Sequence, residues 1–411
     1  MGAMEWSPVR RVAFRFWFLV GALLLFPFPL GIIPKTEGLA EIANKPFEWA
    51  MSWVANGLGL DEPVLQPTGS GDTYAAFIMH LSVAILAALG TVAWTVLDRR
   101  RTSHRHLADA AIVVLRYYLA TTLLIYAFAK LTQFPPPNPS RLDQRVGDLS
   151  PMGVLWTFMG ASRPYSLFAG FTEALGGVLL LWRPTYVAGA LIAVGAMGNV
   201  VALNFCYDVP VKLYSMQLLA IAIVIFAPHA RRVIRAMLGR AVPEVPLRPR
   251  RSLWDERVRL AAKLLFLAAL VAQIYSGVDR ALGWTPPEHE LHGIWVVDRM
   301  SIEGVERPPL LTDTERWHKL HFSQVAVAVR PMDGLPTRFS ATVDPEQHRI
   351  EINEQELHEI WRYTLARGEP DALVVEGAHR GKPFRAELHR EPPPLLVTRG
   401  FHWIQEVPFN R

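Results

Sequence analysis

Glu173 stands near the middle of a greasy run, SLFAGFTEALGGVLLL, from Ser166 to Leu181. A carboxylate in hydrocarbon costs several kcal/mol unless it meets a partner or water, so this acid is a candidate for chemistry before packing. Gly170 and Gly177 lie at i−3 and i+4 on its face, where small residues admit a second helix closely or leave room for a ligand. A second apolar run, LRYYLATTLLIYAFAKL, opens on Arg116 and closes on Lys130, fourteen residues later. That is nearly four helical turns, so both cations share one face with Ala120, Leu123 and Ala127. Glu173 lies deep and Lys130 near the outer boundary, and either can handle protons or hydrogen-bond the head group of an amphipathic molecule, so the two are the candidate catalytic residues. The partner of Glu173 is left open among Lys130, His80 and an asparagine.

Other polar groups fall in the same half of the apolar blocks: His80, Tyr126, Gln133, Asn199 and Asn204. Asp208 and Lys212 flank the turn NFCYDVPVKL. With Arg116 these are the candidate ligand-binding residues, and together they suggest a polar pocket opening outward with Glu173 at its floor. Each has a plainer reading. Lysines at an interface anchor helices, asparagines bond neighbouring helices, Arg116 snorkels to the inner boundary, and Asp208 caps the helix that follows.

These residues need membrane helices to place them. The chain has 411 residues, is 51% hydrophobic, and gathers that excess into long blocks rather than amphipathic stripes. Spans are predicted near 12–31, 75–97, 110–131, 164–182, 185–205, 212–228 and 259–279. Pro27 and Pro29 should bend or unwind the end of the first, which lacks a small-residue cleavage site and reads as an uncleaved anchor. Basic clusters (Arg10, Arg11 and Arg15; Asp98-Arg99-Arg100-Arg101; Arg183; His229 to Arg259) alternate with the acid-rich segment 32–74. With positive residues inside, the N-terminus is cytoplasmic in a bacterial-type inner membrane, and seven crossings leave the C-terminus outside. Entering near Pro164, the fourth span carries Glu173 about 14 Å down, close to the midplane. The net charge of +5 resides in these loops, so the expected partner is the lipid bilayer and no nucleic acid is expected. Cys206 is the single cysteine, which excludes an internal disulfide and a Cys-x-x-Cys pair.

Two features flank the spans. Residues 38–56 place Leu39, Ile42, Phe47, Met51 and Val54 at helical spacing and suit an interfacial helix. The turn TGSGDTY either presents N–H groups to an anion or caps the next helix through Asp72 or Thr73.

From 284 to 411 the pattern changes to alternating stretches such as RFSATVD, HRIEIN and PFRAELHR, separated by turn residues. The fold class is thus a membrane all-α helical bundle (1–283) followed by an extracytoplasmic, periplasmic antiparallel β domain (284–411). EQELHEIWRYTLAR is expected to form one helix across that sheet. LHGIWVVDRMSIEG resembles the opening of lipocalin-type barrels. His289, His292, His318, His321 and His402 have no recognised metal-ligand spacing, so no metal site is expected.

The region from Arg116 to Pro228 resembles the four-helix core of the DoxX-like membrane proteins. It has a span opened by arginine and closed by lysine, then FAGFTEALGGVLLLWRPTYVAGALIAVGAMGNV with its Gly-x-x-Glu-x-x-Gly-Gly segment, basic turn and small-residue span. The resemblance covers about a quarter of the chain and implies a membrane redox role, with a quinone or a redox partner protein, and Arg116, Lys130 and Glu173 as matching positions. The departure is that this chain carries no cysteine pair, haem or flavin motif, so any electron carrier must be bound. The same span also distantly resembles the membrane part of vitamin-K-dependent carboxylase-like enzymes, where Lys130 or His80 would be the base acting on a reduced quinone. A non-catalytic reading stands beside these: a scaffold or transporter-like protein whose β domain binds a lipid or partner.

Overall fold

Apolar blocks become helices and the alternating C-terminal segment becomes a sheet in the computed structural model, which describes residues 5–33, 36–66, 68–242, 253–283, 288–354, 357–366 and 369–410. The helices run α1 (Pro8–Leu25), α2 (Glu37–Gly57), α3 (Tyr74–Leu97) and α4 (Arg105–Gln133), then short α5 (Pro139–Leu142) and α6 (Pro151–Ala161). They continue with α7 (Arg163–Leu181), α8 (Tyr186–Cys206), α9 (Lys212–Met237) and α10 (Leu253–Gly283). The strands are β1 (Gly293–Ile302), β2 (Val305–Glu306), β3 (Trp317–Ser323), β4 (Ala326–Pro331), β5 (Thr337–Asp344), β6 (Arg349–Glu354), β7 (Leu357–Ala366), β8 (Glu369–His379) and β9 (Lys382–Arg390), followed by α11 (Leu395–Thr398).

The chain divides into two compact units, one of residues 1–133 and 166–279, the other of 134–165 and 280–411. The second unit therefore recruits the segment between α4 and α7 as well as the β-rich end.

In the first unit, six helices among the described residues are long and apolar enough to cross a membrane: α3, most of α4, α7, α8, α9 and the later part of α10. α1 is not among them, because Arg10, Arg11 and Arg15 fall within its eighteen residues. Arg15 is buried and donates from Nε to His104 Nε2 at 3.1 Å, from Nη1 to Thr95 Oγ1 at 3.0 Å and from Nη2 to the Asp98 carbonyl at 2.8 Å, pinning α1 to the end of α3. α1 ends at Leu25, just before Pro27 and Pro29, as the prolines lead one to expect. α2 is a helix over the expected stretch, with Met51 and Val54 buried while Leu39, Ile42, Trp49 and Trp53 are exposed. The core of the unit joins α4, α7, α8, α9 and α10 around Leu119, Leu123, Leu180, Leu218, Ile225 and Leu270.

In the second unit, β1 and β3 to β9 form an eight-stranded antiparallel barrel among the described residues, each strand paired with the next and β1 closing on β9. β2 is a short arm on β1. Alternation along each strand turns Trp295, Leu320, Phe322, Ile350, Trp361 and Val375 inward, and an eight-stranded barrel is just wide enough for such side chains to fill it. The turn joining β8 to β9 has positive φ at both central residues, Arg380 and Gly381. That is the twist a two-residue hairpin needs, and glycine supplies it without strain.

One expectation is corrected. The described part of EQELHEIWRYTLAR is not a helix but strand β7, antiparallel to β6 and β8. Glu359, Trp361 and Tyr363 alternate to one face with period two. Trp361 is in turn packed over Gly377 of β8, where a Cβ would stand 2.7 Å from its ring. The leucines and charges of the segment have helical propensity, but cross-strand pairing of its aromatic and β-branched residues outweighs a weak intrinsic preference.

Candidate functional site

α4 and α7 lie against each other in opposite directions. A Cβ on Gly170 would stand 2.9 Å from the Ala127 carbonyl oxygen, and one on Gly177 3.1 Å from that of Ala120. The two glycines thus admit a helix, and the space beside them is occupied by the backbone of α4. This proximity lets Lys130 donate from Nζ to both oxygens of Glu173, at 2.9 Å and 2.8 Å. Glu173 is 4% exposed, so the acid is removed from solvent together with its countercharge. The barrel-end cleft described below is lined by neither residue.

The other end of the same helix pair is finished by a cation. Arg116 does not snorkel: it is buried and donates from Nε and Nη2 to the Leu180 carbonyl at 3.1 Å and 2.8 Å. Its guanidinium lies 4.2 Å from the ring centre of Tyr186, whose hydroxyl meets His229 Nε2 at 2.8 Å. Lys263 donates to the Leu181 carbonyl at 3.0 Å. The last carbonyls of α7, which have no partner inside the helix, thus receive two positive charges. Lys263 was not singled out in the sequence, where it looks like one more cation beside an apolar run. Since Arg116 and Lys130 are separated by about 21 Å of helix rise, Arg116 does not share a site with Glu173.

The remaining candidates separate further. His80 bonds through Nδ1 to the Ala76 carbonyl of its own helix at 2.8 Å. Tyr126 packs edge-on to Tyr214 at 6.2 Å between ring centres, and Tyr214 shares a 3.2 Å hydroxyl contact with Tyr118. Asn199 is exposed, whereas Asn204 is buried and its Nδ2 makes no hydrogen bond among the described residues. The side chain of Gln133 lies outside the described residues.

Asp208 accepts from Lys212 Nζ at 2.8 Å, but the cap of α9 is Asp72. Its two oxygens accept the Lys212 and Leu213 backbone N–H groups at 2.8 Å and 3.0 Å. Thr73, beside it, caps α3 through Ala76 N at 3.2 Å. The TGSGDTY turn therefore serves as a double cap, with its two side chains serving different helices.

In the second unit a cleft of about 260 Å³ opens at one end of the barrel. Met300, Trp317, Phe339 and Phe384 give it apolar walls, and His379, Lys382 and Arg380 a polar rim. Glu359 accepts from His379 Nδ1 at 3.0 Å and from Trp361 Nε1 at 3.1 Å. The His379 ring stands edge-on to Trp317, Phe339 and Trp361. An acidic acceptor on Nδ1 leaves Nε2 as the nitrogen available for other contacts. Among the described residues no three histidine, cysteine or acidic side chains gather in a way that suits a metal ion.

No family model matches the chain, and no solved structure matches it. The chain is similar to the uncharacterized protein YwoB of Bacillus subtilis (strain 168), with 34% identity over 119 residues. Over that stretch the chain belongs to the YwoB family. The shared part is 75% of YwoB but 28% of this chain, so most of the present protein is additional to what it has in common with YwoB.

Proposed function

We propose that this is a multi-pass inner-membrane protein whose helical unit binds a quinone-like or other small amphipathic molecule beside the Lys130–Glu173 pair. The reading rests on one observation: an amine donating to both oxygens of a nearly inaccessible carboxylate, on helices long and apolar enough to lie in a bilayer. Such a pair is rare in hydrocarbon and, where it occurs, marks ligand or proton pathways. A quinone head group offers two carbonyls to an ammonium donor and, once reduced, two hydroxyls to a carboxylate. The ion pair would have to open on one side for either contact to form. In this reading the N-terminus is cytoplasmic and the barrel extracytoplasmic, and any redox carrier other than the bound ligand is a separate protein. An enzyme of the carboxylase type would use the same pair on a reduced quinone.

The test is organic extraction of the protein purified in lipid, with the quinone content of wild type compared with Lys130→Met and Glu173→Gln. Stoichiometric quinone in wild type, reduced several-fold in both variants, supports the proposal. Equal content in all three, or none in any, rejects it. A reporter fused after the barrel fixes the side of the membrane.

A second reading has its own observation, the aromatic-walled cleft at the barrel end. There the β domain would hold an amphipathic molecule with its apolar part against Trp317, Phe339 and Phe384. Binding of a fluorescent fatty acid that Phe339→Arg removes, without change in the quinone content, would separate it from the first.

A further inference from the structure

The helix α2 has no part in the proposed function, and its surface divides three ways. Ala50, Met51, Val54 and Ala55 are buried, and Met51 and Ala55 pack on Ala75 and Ile78 in the opening turns of α3. Phe47, on the same face, stacks on Phe26 at 5.6 Å between ring centres. At about 3.6 residues per turn, the rest of the circumference separates into two flanks. Leu39, Ile42, Pro46, Trp49 and Trp53 fall on one, which carries no charged residue. Its leucine, isoleucine and two tryptophans are each more than half exposed. Glu41, Asn44, Lys45, Glu48, Ser52 and Asn56 fall on the other, where Ser52 donates to Glu62 Oε1 at 2.9 Å. The apolar residues that spacing groups into one face are therefore two sets. Phe47, Met51 and Val54 meet protein, whereas Leu39 and Ile42 join the tryptophans on an exposed surface.

Two observations indicate what covers that surface. The first is its position. α2 rests against the end of α3 that begins at Tyr74, and α3 has the length and hydropathy of a membrane span. The end of such a helix is where hydrocarbon gives way to head groups and water. The second is the division of the exposed circumference. A helix surrounded by water gains nothing from gathering two tryptophans, a leucine and an isoleucine on one flank. A helix surrounded by hydrocarbon could not carry Glu41, Lys45 and Glu48 on the other. Lying along the boundary satisfies both flanks, and tryptophan is a side chain that such boundaries favour. The polar flank holds two glutamates and one lysine, so it lacks the excess of basic residues by which many interfacial helices attract anionic lipid.

We infer that α2 lies along the membrane surface with Leu39, Ile42, Trp49 and Trp53 among the head groups and upper acyl chains. It docks on zwitterionic lipid through apolar contact and not through charge. This placement rests on the membrane reading of the helical unit and is independent of the quinone site and of the barrel.

The experiment is site-directed spin labelling of the full chain in phosphatidylcholine vesicles. Cys206→Ser removes the one native thiol. In that background Ile42→Cys, Trp49→Cys and Trp53→Cys sample one flank, Lys45→Cys and Glu48→Cys the other, and Leu89→Cys an exposed position on α3. Collision with oxygen reports lipid, and collision with a water-soluble nickel chelate reports water. Labels on the apolar flank are expected to meet the nickel chelate several-fold less often than those on the polar flank, and oxygen several-fold more often. Adding phosphatidylglycerol to the vesicles is expected to leave that contrast unchanged; a contrast that appears only with it overturns docking through apolar contact. Both flanks equally open to the nickel chelate, or the apolar flank closed to both reagents as it would be under a second protein surface, overturns the inference. Leu89→Cys separates these failures from a failure of the membrane reading. Oxygen contact there beside a water-exposed α2 refutes the docking alone, whereas nickel contact there refutes the membrane reading as well.

Discussion

A Cβ on Gly170 would stand 2.9 Å from the carbonyl oxygen of Ala127, and this near-contact between two backbones brings Lys130 within reach of Glu173. A backbone oxygen cannot yield as a flexible side chain does, so the helices themselves must part. Gly170→Val is expected to lower stability by about 1–3 kcal/mol, the usual range for overpacking, and to loosen the ion pair. Thermal unfolding in detergent measures the first effect. The second is read as a smaller coupling between Lys130 and Glu173 in a double-mutant cycle.

Removal of one member of a buried pair strands the other. Lys130→Met, and equally Glu173→Leu, is expected to lose about 3–5 kcal/mol, while Lys130→Met with Glu173→Leu recovers most of it, because two apolar side chains suit the surroundings of α4 and α7. Denaturant unfolding of the four proteins checks this. A double variant no more stable than its worse parent would mean that the pair holds the helices together directly. Glu173→Gln keeps the shape and a hydrogen-bond acceptor, so it is the variant with which to ask about ligand binding.

Asp72 caps a helix to which it is not adjacent in the chain. Asp72→Ala is expected to cost about 1–2 kcal/mol and to fray the start of α9, since the Lys212 and Leu213 N–H groups lose their acceptor. Faster amide exchange at those residues, with α3 unchanged because Thr73 still caps it, is the outcome to look for.

The Asp143 cluster makes the second unit sensitive to acid. Burial alone would raise the Asp143 carboxyl, but hydrogen bonds from His321, Lys319 and Arg330 outweigh it and hold the group well below the usual carboxylate range. A depressed folded pKa contributes stability that is complete above the unfolded value, about 4, and is lost as pH falls towards the folded value. Unfolding midpoints for the second unit are expected to drop below about pH 4. Asp143→Asn should flatten that part of the profile while costing about 3 kcal/mol at neutral pH. A variant with the wild-type pH profile would place the acid response elsewhere.

How much of this was legible differs from residue to residue. The shared face of Arg116 and Lys130 and the small face around Glu173 follow from helical periodicity, which is local. That Lys130 is the partner of Glu173, rather than His80 or an asparagine, depends on which helix lies against α7. The same holds for Asp72, whose composition shows a capping residue but not that the cap serves α9. Asp143 gave no signal at all, because an acid in a polar stretch looks solvated until the outer face of β3 and β4 is folded against it. EQELHEIWRYTLAR reads as a helix because its propensities are helical, whereas the environment of its described part is a barrel wall.

The amino-acid order alone determined that the chain has apolar blocks of membrane length, an alternating β-rich end, and one acid where hydrocarbon would reject it. Each of these is set by hydropathy or by a period of 3.6 or 2 residues, quantities that a short window contains. The tertiary structure alone decided that the glycines beside Glu173 receive a helix, that Arg116 closes α7 instead of joining the pair, and that β1 meets β9 to close the barrel. Those outcomes depend on contacts between residues far apart in sequence, whose energies no local window holds.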